Sequence, residues 1–184
     1  MRRNSWPMLI MVILALVISG CVPPPTPIAP PCIDFEDMIS GTVYAVGDVI
    51  ATNGFRINVT DFQWSNGTWT NSGFSEVGSG GNAGGSGLEL IVNNVLLKFE
   101  LPGSYSALEL NFGEYGGNLN IDINNDFVNF DNFADINGAV IGGTNITVVN
   151  GMGNDMGTLT VAGSIEEFAI GGQELFIDNV CLRE

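Results

Sequence analysis

Phe55-Arg56-Ile57-Asn58-Val59-Thr60-Asp61-Phe62 alternates apolar and polar side chains without a break. Successive side chains on a strand point to opposite faces, so such a segment has one face for a core and one for water. The same period of two returns in Leu108-Glu109-Leu110-Asn111-Phe112. It returns again where Leu119, Ile121 and Ile123 are set between Asn118, Asn120, Asp122 and Asn124. Thr158-Leu159-Thr160-Val161 and Glu174-Leu175-Phe176-Ile177-Asp178-Asn179-Val180 continue it. Leu88 to Val92 and Val95 to Leu101 form two further runs flanking Asn93-Asn94, read as a tight turn or bulge. No stretch has a helical period, and Gly or Asn punctuates the pattern about every eight to twelve residues. About ten strands in one domain predict an all-β fold, an antiparallel β-sandwich or jelly roll.

The chain begins differently. Arg2 and Arg3 precede an apolar run from Met8 to Ile18, which ends in Ile18-Ser19-Gly20-Cys21. A basic start, a short apolar core and small residues at the end mark a secretory signal. The run is about half of the roughly 20 residues that span a bilayer, which argues against a transmembrane anchor. With Cys directly after the small pair, the segment resembles a bacterial lipoprotein lipobox. The resemblance implies that residues 1–20 are a cleaved signal peptide and that Cys21 carries a diacylglyceryl group, usually with a further acyl chain such as palmitate. It also implies an extracytoplasmic protein, anchored by lipid in the cell membrane or the outer membrane. Each buried CH₂ contributes about 0.8 kcal/mol, so one chain holds reversibly and two or three hold firmly. Val22 is not the Asp that signals inner-membrane retention in enteric bacteria.

Val22-Pro23-Pro24-Pro25-Thr26-Pro27-Ile28-Ala29-Pro30-Pro31 follows. Each proline fixes φ and lacks an N–H donor, which excludes helix and sheet. The run favours polyproline II, a semi-rigid spacer of roughly 30 Å. Residues 21–31 are therefore read as the lipidated Cys and a Pro-rich linker, and residues 32–184 as one β-sandwich domain.

Without Arg2 and Arg3, that domain sets 20 acids against Arg56, Lys98 and Arg183, a formal charge of −17. Nucleic-acid binding rests on Lys and Arg neutralising phosphates, so nucleic acid is excluded as a partner. Acidity of this degree serves solubility, or it serves divalent cations. Once Cys21 is lipidated, Cys32 and Cys181 remain, one at each end of the domain. Two cysteines in an exported protein read as one disulfide.

Cys32-Ile33-Asp34-Phe35-Glu36-Asp37 opens the domain and Glu174-Leu175-Phe176-Ile177-Asp178-Asn179-Val180-Cys181-Leu182 closes it. Together with Tyr115-Gly116-Gly117-Asn118 and Asn124-Asn125-Asp126, these ends resemble the galactose-binding-like jelly rolls, which include many carbohydrate-binding modules. The motifs are short and cover about a quarter of the domain. The resemblance implies that the first and last strands pair antiparallel, bringing Cys32 to Cys181. It further implies a structural Ca²⁺ where those strands meet, with Glu36 and Asp178 as ligands and loop carbonyls completing the shell. Oxygen donors suit calcium. The Asp-rich segment from Asp122 to Asp135 fails as an EF-hand, having Phe127 and Phe133 where that loop needs Gly and Glu.

Asn118, Asn120, Asp122, Asn124 and Asp126 are read as one side of a strand, either a face that hydrogen-bonds sugar hydroxyls or an ordinary wet sheet face. Trp64, Trp69, Tyr44, Tyr105 and Tyr115 are candidates for stacking on a pyranose, with Trp69 and Tyr115 beside Gly/Asn turns. Gly78 to Gly87, GSGGNAGGSG, lacks the Lys-Ser/Thr ending of a phosphate-binding loop and reads as a flexible hairpin connection. The chain has no His, and no plausible Ser or Cys nucleophile with a base stands out, nor any zinc ligand set. No acid pair stands out for glycoside hydrolysis, so a non-enzymatic role is expected. The expected function is non-catalytic binding of a glycan or another extracellular ligand. The alternative is a structural or assembly lipoprotein whose partner is another envelope protein. Trp69 and Tyr115 exposed together on one concave face favour the first, and burial of both favours the second.

Overall fold

A computed structural model describes residues 32–151 and 155–184; the signal segment, Cys21 and the Pro-rich linker lie outside the described residues. In chain order the strands are β1 (Cys32–Ile33), β2 (Val43–Ala45), β3 (Val49–Thr52), β4 (Phe55–Thr60), β5 (Phe62–Gln63) and β6 (Trp69–Thr70). Next come β7 (Phe74–Gly78), β8 (Glu89–Asn93), β9 (Val95–Phe99), β10 (Tyr105–Glu114), β11 (Leu119–Ile123) and β12 (Asp126–Phe130). The last are β13 (Val140–Ile141), β14 (Thr144–Asn150), β15 (Met156–Ile165), β16 (Phe168–Gly172) and β17 (Leu175–Arg183). Among the described residues a single 3₁₀ turn, Phe133–Ile136, is capped by a capping box between Asn132 and Asp135.

All strand pairings among the described residues are antiparallel. The larger sheet runs β13-β14-β15-β10-β17-β8-β7-β2, with β1 also paired to β17. The smaller runs β12-β11-β16-β9-β4-β3, and β5 pairs with β6 alone. The two sheets form a β-sandwich. Leu108, Leu110 and Phe112 of β10 and Leu159 and Val161 of β15 face inward from one sheet. Ile57 and Val59 of β4 and Leu119, Ile121 and Ile123 of β11 face inward from the other, in the same buried cluster. The alternation read from the sequence is thus the core-facing half of each strand.

β1 lies against the far end of β17, with Cys32 opposite Cys181 and Ile33 opposite Val180. The expected disulfide joins this pair, spanning 149 positions of sequence. β17 departs from simple alternation. The β10–β17 register shifts between Glu109 and Asn111, and Asn179 has φ of 51°. This bulge puts Val180 and Leu182 into the core together with Leu175 and Ile177.

Two connections differ from the expected ones. Asn93-Asn94 is neither a hairpin turn nor a bulge in one ladder: β8 belongs to the larger sheet and β9 to the smaller. Asn94, at φ of 54°, carries the chain between layers and donates its N–H to Gly172 O (2.8 Å). Gly78 to Gly87 does join a hairpin, β7–β8, but it is folded around a buried carboxylate.

Candidate functional site

That carboxylate is Glu89, the first residue of β8 and 2% exposed. Its Oε1 accepts from Gly80 N (3.1 Å), Asn82 N (3.1 Å) and Asn82 Nδ2 (3.2 Å). Its Oε2 accepts from Ala83 N (2.8 Å). Successive loop amides converging on one acid satisfy donors that a glycine-rich segment otherwise leaves to water. Farther along the loop, Leu88 N donates to Glu36 Oε1 (2.7 Å). A side chain at Gly85 would overlap Asp178 Oδ2, and one at Gly87 would overlap Glu36 Oε1. The loop therefore rests directly on the two acids expected to bind calcium.

Asp178 is 2% exposed, turned beneath the loop at the β17 bulge. Burial pushes its pKa up to about 6, against an opposing hydrogen bond from Asn179 N, and the charges of Glu89, Glu36 and Asp34 add to the rise. Arg56, Lys98 and Arg183 are engaged elsewhere, with Glu100, Glu167 and Glu109. Buried Asp178 and exposed Glu36, facing loop backbone with no base beside them among the described residues, present the oxygen-only donor chemistry that suits calcium. Among the described residues, no three Asp, Glu, His or Cys side chains converge closely enough to hold a metal ion by themselves. A cation here would draw on Glu36, Asp178 and loop carbonyls.

The other side of the loop borders a groove on the outer face of the larger sheet. It measures about 380 Å³ and is lined by Asn82, Ile91, Val92, Asn93, Tyr115, Glu174 and Phe176. Phe176 and Ile91 are cross-strand partners on β17 and β8 and form its apolar floor. Tyr115 is 38% exposed, its ring edge-on to Phe176 at 5.6 Å. Its N–H donates to Glu174 O (3.0 Å) and its hydroxyl to Asn82 O (3.1 Å). Burial raises the Tyr115 pKa, aided by the charges of Asp155 and Glu89, so the phenol stays neutral. A Cβ at Gly113 would overlap Asn82 O, so this glycine lets the loop approach β10. The tyrosine is thus braced by backbone, ring and loop before any ligand arrives.

The other expected ligand residues lie elsewhere. Trp69, 53% exposed, stands on the β5–β6 hairpin over the outer face of the smaller sheet, its ring 5.5 Å from that of Phe127. Asn118, Asn120, Asp122, Asn124 and Asp126 do not form one open strand face. Asn124 and Asn125 are the turn between β11 and β12, both at positive φ, and Asp126 starts β12. Asn120 is fully buried under the hairpin, accepting from Gln63 N (2.9 Å) and donating to Gln63 O (3.0 Å). Asn129 Nδ2 donates to the same Gln63 O (3.0 Å) and to Asn118 Oδ1 (2.8 Å). Asn118 and Asn120 therefore hold the hairpin that carries Trp69 and do not face solvent. Asp122 is half-buried beside Phe127, its cross-strand partner, and burial raises its pKa. Tyr105 is buried, Tyr44 packs against the core, and half-buried Trp64 packs edge-on to Phe62. Sequence reading missed Glu89, whose only local signal is an acid two residues after a run of glycines.

Fold and site together define an all-β sandwich with a Tyr115-bordered groove on one outer face and an exposed Trp69 over the other. No known family model, curated protein or solved structure matches the chain.

Proposed function

We propose that this is a lipid-anchored, extracytoplasmic lipoprotein whose jelly-roll domain binds carbohydrate without catalysis. The observation that carries the reading is the braced, half-exposed Tyr115 over an apolar floor, bordered by the amides of Asn82 and Asn93 and by Glu174. Sugar rings present a C–H face to an aromatic ring and a rim of hydroxyls to amides and carboxylates, and most ligand sites combine these two kinds of surface. No Lys or Arg lines the groove, so the ligand class is neutral rather than anionic glycan. Lipidation at Cys21 and the linker to residue 31 would hold the domain clear of the cell membrane or outer membrane.

The test is glycan binding by the full chain in detergent, set against Tyr115→Ala. We expect a neutral polysaccharide to bind, and the variant to weaken that binding at least about tenfold, equivalent to 1.4 kcal/mol. Uniform non-binding, with and without calcium, would sink the reading and favour an envelope protein as partner.

Structural calcium at Glu36 and Asp178 forms part of this proposal. In metal-free protein, Asp178 binds a proton more tightly folded than unfolded, because its pKa is raised to about 6. Its contribution is fully present below the ordinary carboxylate range and is lost as pH rises through 6. With chelator present, the melting temperature therefore rises as pH falls from 7 to 5, by an amount equivalent to roughly 1 kcal/mol. Burial raises the pKa of Glu114 and Asp122 as well, so both act in the same direction. Asp178→Asn flattens the profile. Calcium at pH 7 raises the melting temperature of the wild type and not of the variant, since a ligand specific to the folded state stabilises it. No shift on adding calcium removes the metal from the proposal.

A further inference from the structure

We propose that the outer face of the smaller sheet carries a second, separate sugar site, in which Trp69 stacks on a pyranose ring, so that one domain holds two glycan chains on opposite faces. The choice of sugar rests on the function proposed above; the existence of the site rests on its own geometry.

Trp69 borders a groove of about 480 Å³ whose other walls include Val46, Gly47, Thr60, Asp61 and Leu96. The burial pattern places it opposite the Tyr115 groove. Val59 of β4 and Leu97 of β9 point into the core, so Thr60 and Leu96 point outward from the smaller sheet. Leu175 and Ile177 of β17 point inward, so Phe176 points outward from the larger sheet.

Three observations give this groove the character of a built site. An indole 53% exposed is a large apolar surface for a strand end to leave in water. It is also held in place: Phe127 supports the ring, and the Asn120–Gln63 pair of hydrogen bonds ties the opposite hairpin strand to the sheet, with Gln63 directly across from Trp69. That is a costly arrangement for a side chain with no role, since Asn120 is a fully buried amide spent on positioning a two-stranded ribbon. Finally, the rim of the groove is polar. Thr60 and Asp61 add a hydroxyl and a carboxylate at the rim, and no Lys or Arg lines the groove. Aromatic platform, acceptor-rich rim and absence of cations are again the chemistry of a neutral sugar.

The experiment is titration calorimetry of the full chain in detergent with cellohexaose, xylohexaose, mannohexaose and chitohexaose, read together with tryptophan fluorescence. For a sugar that binds, we expect two sites per chain and quenching of indole emission. Trp69→Ala leaves one site and removes the quench, Tyr115→Ala leaves the quenching site intact, and the double variant binds nothing. Trp69→Phe retains weakened binding at the second site, and its unchanged far-ultraviolet circular dichroism separates loss of a platform from loss of fold. Asn120→Ala weakens only the quenching site, as a positioning role requires. One site, lost in Tyr115→Ala and unaffected by Trp69→Ala, overturns the second site and leaves the first. Binding lost in Trp69→Ala alone overturns the Tyr115 groove and leaves this one. No binding of any of the four sugars overturns both.

Discussion

Glu89→Ala lowers the stability of the fold by about 3 to 5 kcal/mol and dismantles the Tyr115 groove. The carboxylate is 2% exposed and accepts four hydrogen bonds, three of them from main-chain amides at 80, 82 and 83. A hydrogen bond to a charged acceptor contributes roughly 1.5 to 3 kcal/mol, and amides stripped of their acceptor add a desolvation cost. The released loop also carries Asn82, which accepts the Tyr115 hydroxyl, so one substitution removes both a wall and a brace of the groove. Urea unfolding gives the stability change, provided the slope is unchanged. Amide hydrogen exchange at residues 80 to 83 gives the local one, rising to the rates of an open segment. Glu89→Gln keeps the shape and one acceptor oxygen, and is expected to lose about half as much. An unchanged urea midpoint and unchanged exchange in Glu89→Ala would show that the loop is held by other contacts.

Replacing Cys32 and Cys181 together by Ala lowers stability by about 5 kcal/mol on the chain-entropy account. The bond closes a loop across a sequence separation of 149, so it restricts almost the whole unfolded domain. Its folded-state contribution is local by comparison: β1 is two residues long, paired only to the end of β17. Ile33 and Phe35 remain packed in the core without the bond, so the loss comes mainly from the freed unfolded chain. Urea midpoints of the oxidised wild type and the double variant measure the effect. A loss below about 1 kcal/mol would mean that the unfolded chain is already constrained without the bond.

Reading the sequence located β4, β10, β11, β15 and β17 because each turns apolar side chains to the core and mostly polar ones away from it, and the period of two is then printed in the residue types. β16 escaped the same reading. Its Phe168-Ala169-Ile170-Gly171-Gly172 is buried throughout, and a Cβ at Gly171 would overlap Val95 O. A strand covered on both faces has no alternation to show. β14 and β12 were missed for a different reason: they lie toward the edges of their sheets, where short apolar runs are broken by Asn and Gly.

The candidate site was legible in its residue types and illegible in its geometry. Tyr115 and Trp69 were singled out by their turn-side positions and both proved exposed, but on opposite faces of the sandwich. Asn120 was read as a surface donor because its strand alternates correctly; its side does face away from the core, yet the β5–β6 hairpin covers it. Glu36 and Asp178 were paired through a resemblance of chain ends, and both meet one loop. Glu89 carried no such signal.

By itself, the sequence determined that the domain is an antiparallel β-sandwich, because strand period is a local property. Of the three cysteines it pointed to Cys32 and Cys181 by setting Cys21 aside as the expected lipidated residue, and the structure joins that pair. Only the tertiary structure decided what covers each outward face, where the β17 bulge turns Asp178, and which acid organises the glycine-rich loop. Alternation states which side of its own strand a residue occupies. Whether that side meets water, a hairpin or a loop depends on partners far away in the chain.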